Sequence, residues 1–98
     1  MKTSVKPELV VFQTGESFKV LQVTGKAEMV MPLYYSTREA VIVVLAGSAI
    51  LAMEHKKYLL QKGNSLVIPA LQKYTLSLKD EFKARMVMPQ DSRIEFVD

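Results

Sequence analysis

Few groups in this chain are able to do chemistry, and their types narrow the field. His55 is the only histidine among 98 residues, and there is no cysteine. His55 follows Met53-Glu54 and precedes Lys56-Lys57, a polar stretch that reads as a hairpin turn with no partner for acid–base work, so no Ser-His or Cys-His nucleophile can be assembled. Thiolate-bound zinc is excluded as well. The soft donors that remain are six methionines, four of them paired as Met29-x-Met31 and Met86-x-Met88. On a strand, positions i and i+2 share a face, so each pair points to one side. Such paired thioethers suit Cu(I), fill irregular core space, or line a forgiving apolar pocket.

The elements that position these groups are strands. Short runs rich in Val, Ile, Leu, Phe and Tyr recur at the spacing of all-β sandwiches and barrels. They predict strands at 8–13, 17–24, 26–35, 40–46, 48–54, 57–61, 65–69, 73–79, 82–88 and 93–97. Gly15 and Gly25 mark turns, Gly47 breaks a long apolar stretch as a bend or bulge would, and Gly63-Asn64 makes a tight turn. In the later hairpin, Tyr74, Leu76 and Leu78 alternate with Thr75, Ser77 and Lys79, and Phe82, Ala84, Met86 and Met88 alternate with Lys83 and Arg85. One face there is wet and the other is core.

The run Ala40-Val-Ile-Val-Val-Leu-Ala46 does not alternate, so both of its faces should be covered. The cover could be the N-terminal segment, the second sheet or another subunit, and a homodimer is the expected answer. The chain is expected to be one domain over 1–98, with residues 1–15 a candidate to pack on the partner.

Composition sets further limits. Hydrophobic residues make up 49% of the chain, and without cysteine the core must rest on apolar burial alone. The formal charge of +3 comes from 13 Lys and Arg interspersed with 10 Asp and Glu. The densest basic group, His55-Lys56-Lys57, has no aromatic platform, so no nucleic-acid partner is expected. The apolar run Leu9-Val-Val-Phe12 is too short for a secretory core, and no run approaches membrane-spanning length. A cytoplasmic location with no membrane partner follows as an expectation.

Two spaced motifs complete the reading. Gly47 closes a pattern in which a glutamate lies seven positions earlier, here Ala40, preceded at three or four residues by a His-x-His pair. Counting back four places that pair on Leu33 and Tyr35; counting back three places it on Tyr34 and Ser36. The more apolar parity, Ala27, Met29, Met31, Leu33 and Tyr35, selects the first as inward-facing. In the second motif Gly63 and Pro69 keep their spacing, whereas Leu71 stands for a glycine, Tyr74 for a histidine and Leu78 for an asparagine. On these residues the chain resembles the cupin family over about residues 20–90. The resemblance implies a double-stranded β-helix, a jelly-roll barrel of the RmlC-like type, whose metal ligands are here replaced.

That resemblance brings Tyr35 and Tyr74 together inside the barrel, where the phenols would bond each other, a backbone group or a ligand. A phenol titrates near pH 10 and is a poor base unless a cation such as Arg38 lowers its pKa. No metal and no cofactor are expected, since Leu33, Tyr35, Ala40 and Tyr74 leave at best two phenols as donors. The expected function is binding of a small apolar or aromatic molecule, without turnover, by Met31, Leu33, Tyr35, Tyr74, Leu76, Met86 and Met88. The alternatives are a filled barrel serving as a structural or oligomerisation module, and a metal-independent isomerase using Tyr35 or Tyr74.

Overall fold

The computed structural model describes residues 6–97, and all regular structure among them is strand. Ten strands follow in order: β1 Glu8–Thr14, β2 Phe18–Gly25, β3 Val30–Ser36, β4 Ala40–Ala46, β5 Ser48–Ala52, β6 Lys57–Gln61, β7 Ser65–Ile68, β8 Tyr74–Leu78, β9 Phe82–Pro89 and β10 Ile94–Phe96. They form two antiparallel sheets, β1-β2-β9-β4-β7 and β10-β3-β8-β5-β6. The core lies between them. Leu21, Val23, Ile42, Val44, Ile68, Ala84, Met86 and Met88 face inward from the first sheet, and Met31, Leu51, Leu60, Leu76 and Leu78 from the second. Among the described residues no helix is long and apolar enough to cross a membrane.

Most expected strands lie within a few residues of their places. The third begins late because Lys26–Met29 forms a turn instead, with Met29 N–H donating to the Lys26 carbonyl at 3.2 Å and Glu28 at φ +78°. The β8–β9 alternation holds, with Tyr74, Leu76, Leu78, Phe82, Ala84, Met86 and Met88 all buried. Gly47 sits at φ +78°, and a Cβ there would collide with the carbonyl oxygen of Glu81. Only glycine fits that corner.

One expectation is overturned. Leu33 and Tyr35 do not face the barrel interior: Leu33 is 38% exposed and Tyr35 half-buried, whereas Tyr34 and Ser36 are buried. The cause is a β-bulge in β3, where the pairing with β8 runs Val30–Ser77 and Met31–Leu76 but resumes at Tyr34–Tyr74. Pro32 lies in that gap and has no N–H to give to the ladder, so a bulge is the place that tolerates it. The extra residue reverses the parity of everything after it.

Of the N-terminal segment, residues 8–14 pair with β2 of the same chain, while residues 1–5 lie outside the described residues. The outer side chains of β4, Val41 and Val43, remain half-buried.

Candidate functional site

Antiparallel topology gathers five connections at one end of the barrel: residues 15–17, 37–39, 53–56, 69–73 and 90–93. Beneath them, Tyr34 on β3 and Tyr74 on β8 stand directly opposite each other. Their ring centres are 4.4 Å apart and tilted by 47°. Phe96 on β10, the register partner of Tyr34, extends the cluster with ring centres 5.5 Å apart, and the Lys6 ammonium lies 5.1 Å from the Phe96 ring centre.

Both tyrosine hydroxyls are buried; neither has a partner at full hydrogen-bonding geometry, although each lies close enough to the other phenol to be influenced by it. Burial raises the Tyr34 phenol well above its ordinary pKa, with the neighbouring Tyr74 adding to the rise. Burial also pushes Tyr74 up to about 12, against a smaller lowering by Tyr34. At neutral pH both are therefore uncharged O–H groups, each able to donate one bond and accept another. An unpartnered buried hydroxyl costs about 1–3 kcal/mol. Such a pair is a place for a polar atom to bind.

The motif positions are settled by the bulge. Tyr34, Ser36, Ala40 and Tyr74 are the inward residues at the three-residue count, each no more than 1% exposed. They do not fit a transition metal. Two phenols whose protons are held more tightly than usual, a hydroxyl that accepts the Arg38 N–H at 3.2 Å and an alanine methyl cannot converge as three or four anionic or imidazole donors. Among the described residues no three His, Cys, Asp or Glu side chains gather in one place.

Of the residues expected to form the site, Met31, Tyr74, Leu76, Met86 and Met88 are brought together in the core. Met31 faces Leu76 across β3 and β8, and Met86 faces Ile42 across β9 and β4. Leu33 and Tyr35 are turned outward, where Tyr35 lies opposite Glu95. Sequence reasoning names Tyr34 and Ser36 only as the alternative register and sets them aside on parity, although Pro32 inside a predicted strand is a signal in their favour.

Loop-to-loop bonds close the end above the tyrosines. Thr37 N–H donates to the Arg93 carbonyl, and Arg93 N–H donates back to Thr37 Oγ1, both at 2.9 Å. Arg38 Nη1 lies 2.8 and 2.9 Å from the two carboxylate oxygens of Asp91. Lys19 Nζ donates to the Ser92 carbonyl at 2.7 Å, and Leu71 N–H to the Ser36 carbonyl at 2.8 Å. Outside this closure lies a groove of about 540 Å³ lined by Leu33, Met53, Leu71, Gln72, Lys73 and Thr75, among others. A second, of about 380 Å³, includes His55, Tyr58, Val67 and Pro69. His55 itself is a surface residue, 3.7 Å from Glu54.

No protein-family model and no curated protein matches the chain. Solved structures do. An uncharacterised conserved protein with a double-stranded β-helix domain from Klebsiella pneumoniae aligns with a TM-score of 0.83 at 12% identity, covering 100% of this chain and 90% of that one. An RmlC-like cupin family protein from Methanocaldococcus jannaschii gives 0.76 at 14% identity, over 92% and 85%. The DMSP lyase DddQ from Ruegeria pomeroyi gives 0.81 at 20% identity, over 94% of this chain and 52% of that one. With ten strands in these two sheets and these likenesses, the chain has the double-stranded β-helix fold of the RmlC-like cupins.

Proposed function

We propose that this domain binds a small apolar or aromatic molecule against the Tyr34–Tyr74 pair, without a metal and without turnover. The observation that carries the reading is the pair of buried phenol hydroxyls with no well-formed partner apart from each other, at the position where the cupin motif places ligands. A ligand with a carbonyl, ether or hydroxyl oxygen would satisfy them, while Met31, Leu76, Met86 and Met88 would pack on its apolar body. Met31, Tyr34, Tyr74, Leu76, Met86 and Met88 are packed at no more than 1% exposure, so binding requires the loops at 37–39 and 90–93 to part and these side chains to open a space between them. Fold likeness to a lyase brings no lyase activity with it, since activity resides in site residues and not in the scaffold.

The test uses the methionine methyl groups as reporters. Methyl spectra of ¹³C-methionine-labelled protein would be recorded against phenol, indole and small cyclic ketones, together with native mass spectra of tag-free protein. Saturable shifts at Met31, Met86 and Met88 that weaken in Tyr34→Phe and Tyr74→Phe are the expected result. Shifts confined to Met53, or equal binding by the phenylalanine variants, would refute a site at the phenols.

A further inference from the structure

Two departures from regular backbone turn leucines out of the fold at the same place. The β-bulge at Pro32 aims Leu33 away from the core, and Leu71 holds its side chain outward at φ +67°. Leu33 is 38% and Leu71 62% exposed. Both line the groove of about 540 Å³ on the outside of the second sheet. A bulge re-aims a side chain, and a left-handed leucine carries strain. Two costly irregularities therefore converge on one apolar surface that the core does not use. A single exposed leucine means little, but two of them beside Met53 and Ala52 make a patch.

The register supplies the floor. Lys57, Ala52 and Thr75 are cross-strand partners on β6, β5 and β8, so they share one outward row. Beyond that row the chain leaves both strands, into the hairpin at 53–56 and the loop at 69–73. These are the walls, and backbone bonds hold them. Met53 N–H donates to the Lys56 carbonyl at 2.8 Å, Leu71 N–H to the Ser36 carbonyl at 2.8 Å, and Gln72 Nε2 to the Lys73 carbonyl at 3.0 Å. The groove is thus already shaped before anything binds, which lowers the ordering cost of binding.

We propose that this groove binds a small monocarboxylate with an apolar aromatic or aliphatic body. Its volume lies within the range of about 300–1,000 Å³ that small-molecule sites occupy. Charge selects the anion. Lys57 ends the floor row and Lys73 lines the groove, and neither ammonium is in an ion pair with a described residue. The one acid of the lining, Glu54, lies beside His55 at 3.7 Å. A carboxylate placed over the floor meets two ammonium groups and the Thr75 hydroxyl, whereas a cation there meets two like charges against one acid. Leu33 and Leu71 pack on the apolar body, and Met53 adjusts to its outline. The site is separate from the tyrosine pair, which faces the interior from β3 and β8, and it takes an anion where that pair takes a neutral oxygen.

The experiment titrates the full chain with naphthoate, and with naphthylmethanol and naphthylmethylammonium as neutral and cationic probes of the same ring, following methionine and leucine methyl groups. Naphthoate should give saturable shifts at Met53, Leu33 and Leu71 and bind about fivefold tighter than the alcohol, with the ammonium weakest. Lys57→Gln combined with Lys73→Gln should bring the acid and the alcohol to equal affinity. Leu71→Gly should weaken both about tenfold without loss of stability. Ile50→Thr, on the same outer face but outside the groove, should change neither. Absence of saturable shifts at Met53, equal affinity of the wild type for all three probes, a preference for the acid that survives the double lysine variant, or undiminished binding by Leu71→Gly would each overturn the assignment. Naphthoate shifts at Met31, Met86 and Met88 without Met53 would do so too, by putting the probe at the phenols.

Discussion

The backbone N–H of Leu71 donates to the Ser36 carbonyl at 2.8 Å, and Leu71 adopts φ +67° while doing so. The bond ties the β7–β8 loop to the end of β3, directly beside the buried tyrosines. A residue with a Cβ pays about 1–2 kcal/mol for the left-handed conformation, and the Leu71 side chain, 62% exposed, recovers little of it by packing. Leu71→Gly should therefore raise stability by about 0.5–1 kcal/mol, after the greater unfolded-state freedom of glycine is subtracted. The check is a rise of roughly 2–6 °C in Tm, with Leu71→Ala showing no such gain.

Burial of Tyr34 and Tyr74 makes stability depend on alkaline pH. Both phenols have folded pKa values raised above the ordinary 10, Tyr74 to about 12. Below pH 10 the folded and unfolded states carry the same protons and the stability is fully present. Above pH 10 the unfolded chain releases protons that the folded one retains, so stability falls by about 1.4 kcal/mol per pH unit for each phenol until its folded pKa is reached. The informative quantity is a difference between variants. Urea midpoints from pH 9 to 11.5 should fall less steeply in Tyr74→Phe, and least in the double phenylalanine variant. At pH 7 each single variant should be as stable as the wild type or about 1 kcal/mol more so, because an unpartnered hydroxyl is removed.

Gly47 and Gly63 both hold positive φ, at +78° and +90°, but their surroundings differ. A Cβ at Gly47 meets backbone atoms of Glu81 and Phe82, while one at Gly63 meets nothing within 4 Å. Gly63→Ala should cost about 1 kcal/mol, the conformational term alone. Gly47→Ala must also push the β8–β9 turn aside and should cost at least about 2 kcal/mol. Chemical denaturation of the two variants separates steric from conformational cost; equal losses would show that the turn yields freely.

The residues that were legible in the sequence share one property, which is an uninterrupted ladder. Tyr74, Leu76, Met86 and Met88 were read correctly because alternation carries through β8 and β9 without a slip. Leu33 and Tyr35 were misread because a single extra residue after Met31 reverses the strand, and periodicity cannot register a bulge that only the partner strand defines. Pro32 hinted at it. On the outside of the first sheet Val20, Val87, Val41 and Val67 line up across β2, β9, β4 and β7; the sequence shows only that residues 40–46 are apolar on both sides, because the alignment depends on pairing between distant segments. Leucine is an uncommon residue in left-handed backbone, and the one signal at Leu71 is that it stands where the second motif has a glycine.

The closure over the tyrosines consists of loop contacts, so it should open separately from the core. Arg38 and Asp91 are both substantially exposed, and such a pair contributes less than about 1 kcal/mol in salt. Thr37 and Arg93 add a reciprocal pair of bonds near 2.9 Å, of which the Oγ1 bond is worth about 1 kcal/mol. Asp91→Ala combined with Thr37→Val should leave the urea midpoint little changed, yet speed amide exchange at Thr37, Leu71 and Arg93 by about tenfold. Amides of Ile42 and Met86, held in the central ladder between β4 and β9, should keep their protection. Uniform acceleration would mean that the loops and the core open as one unit, and ligand entry would then require global unfolding. Selective acceleration would make the loops the rate-setting barrier, so a ligand seated against the phenols should leave the double variant correspondingly faster.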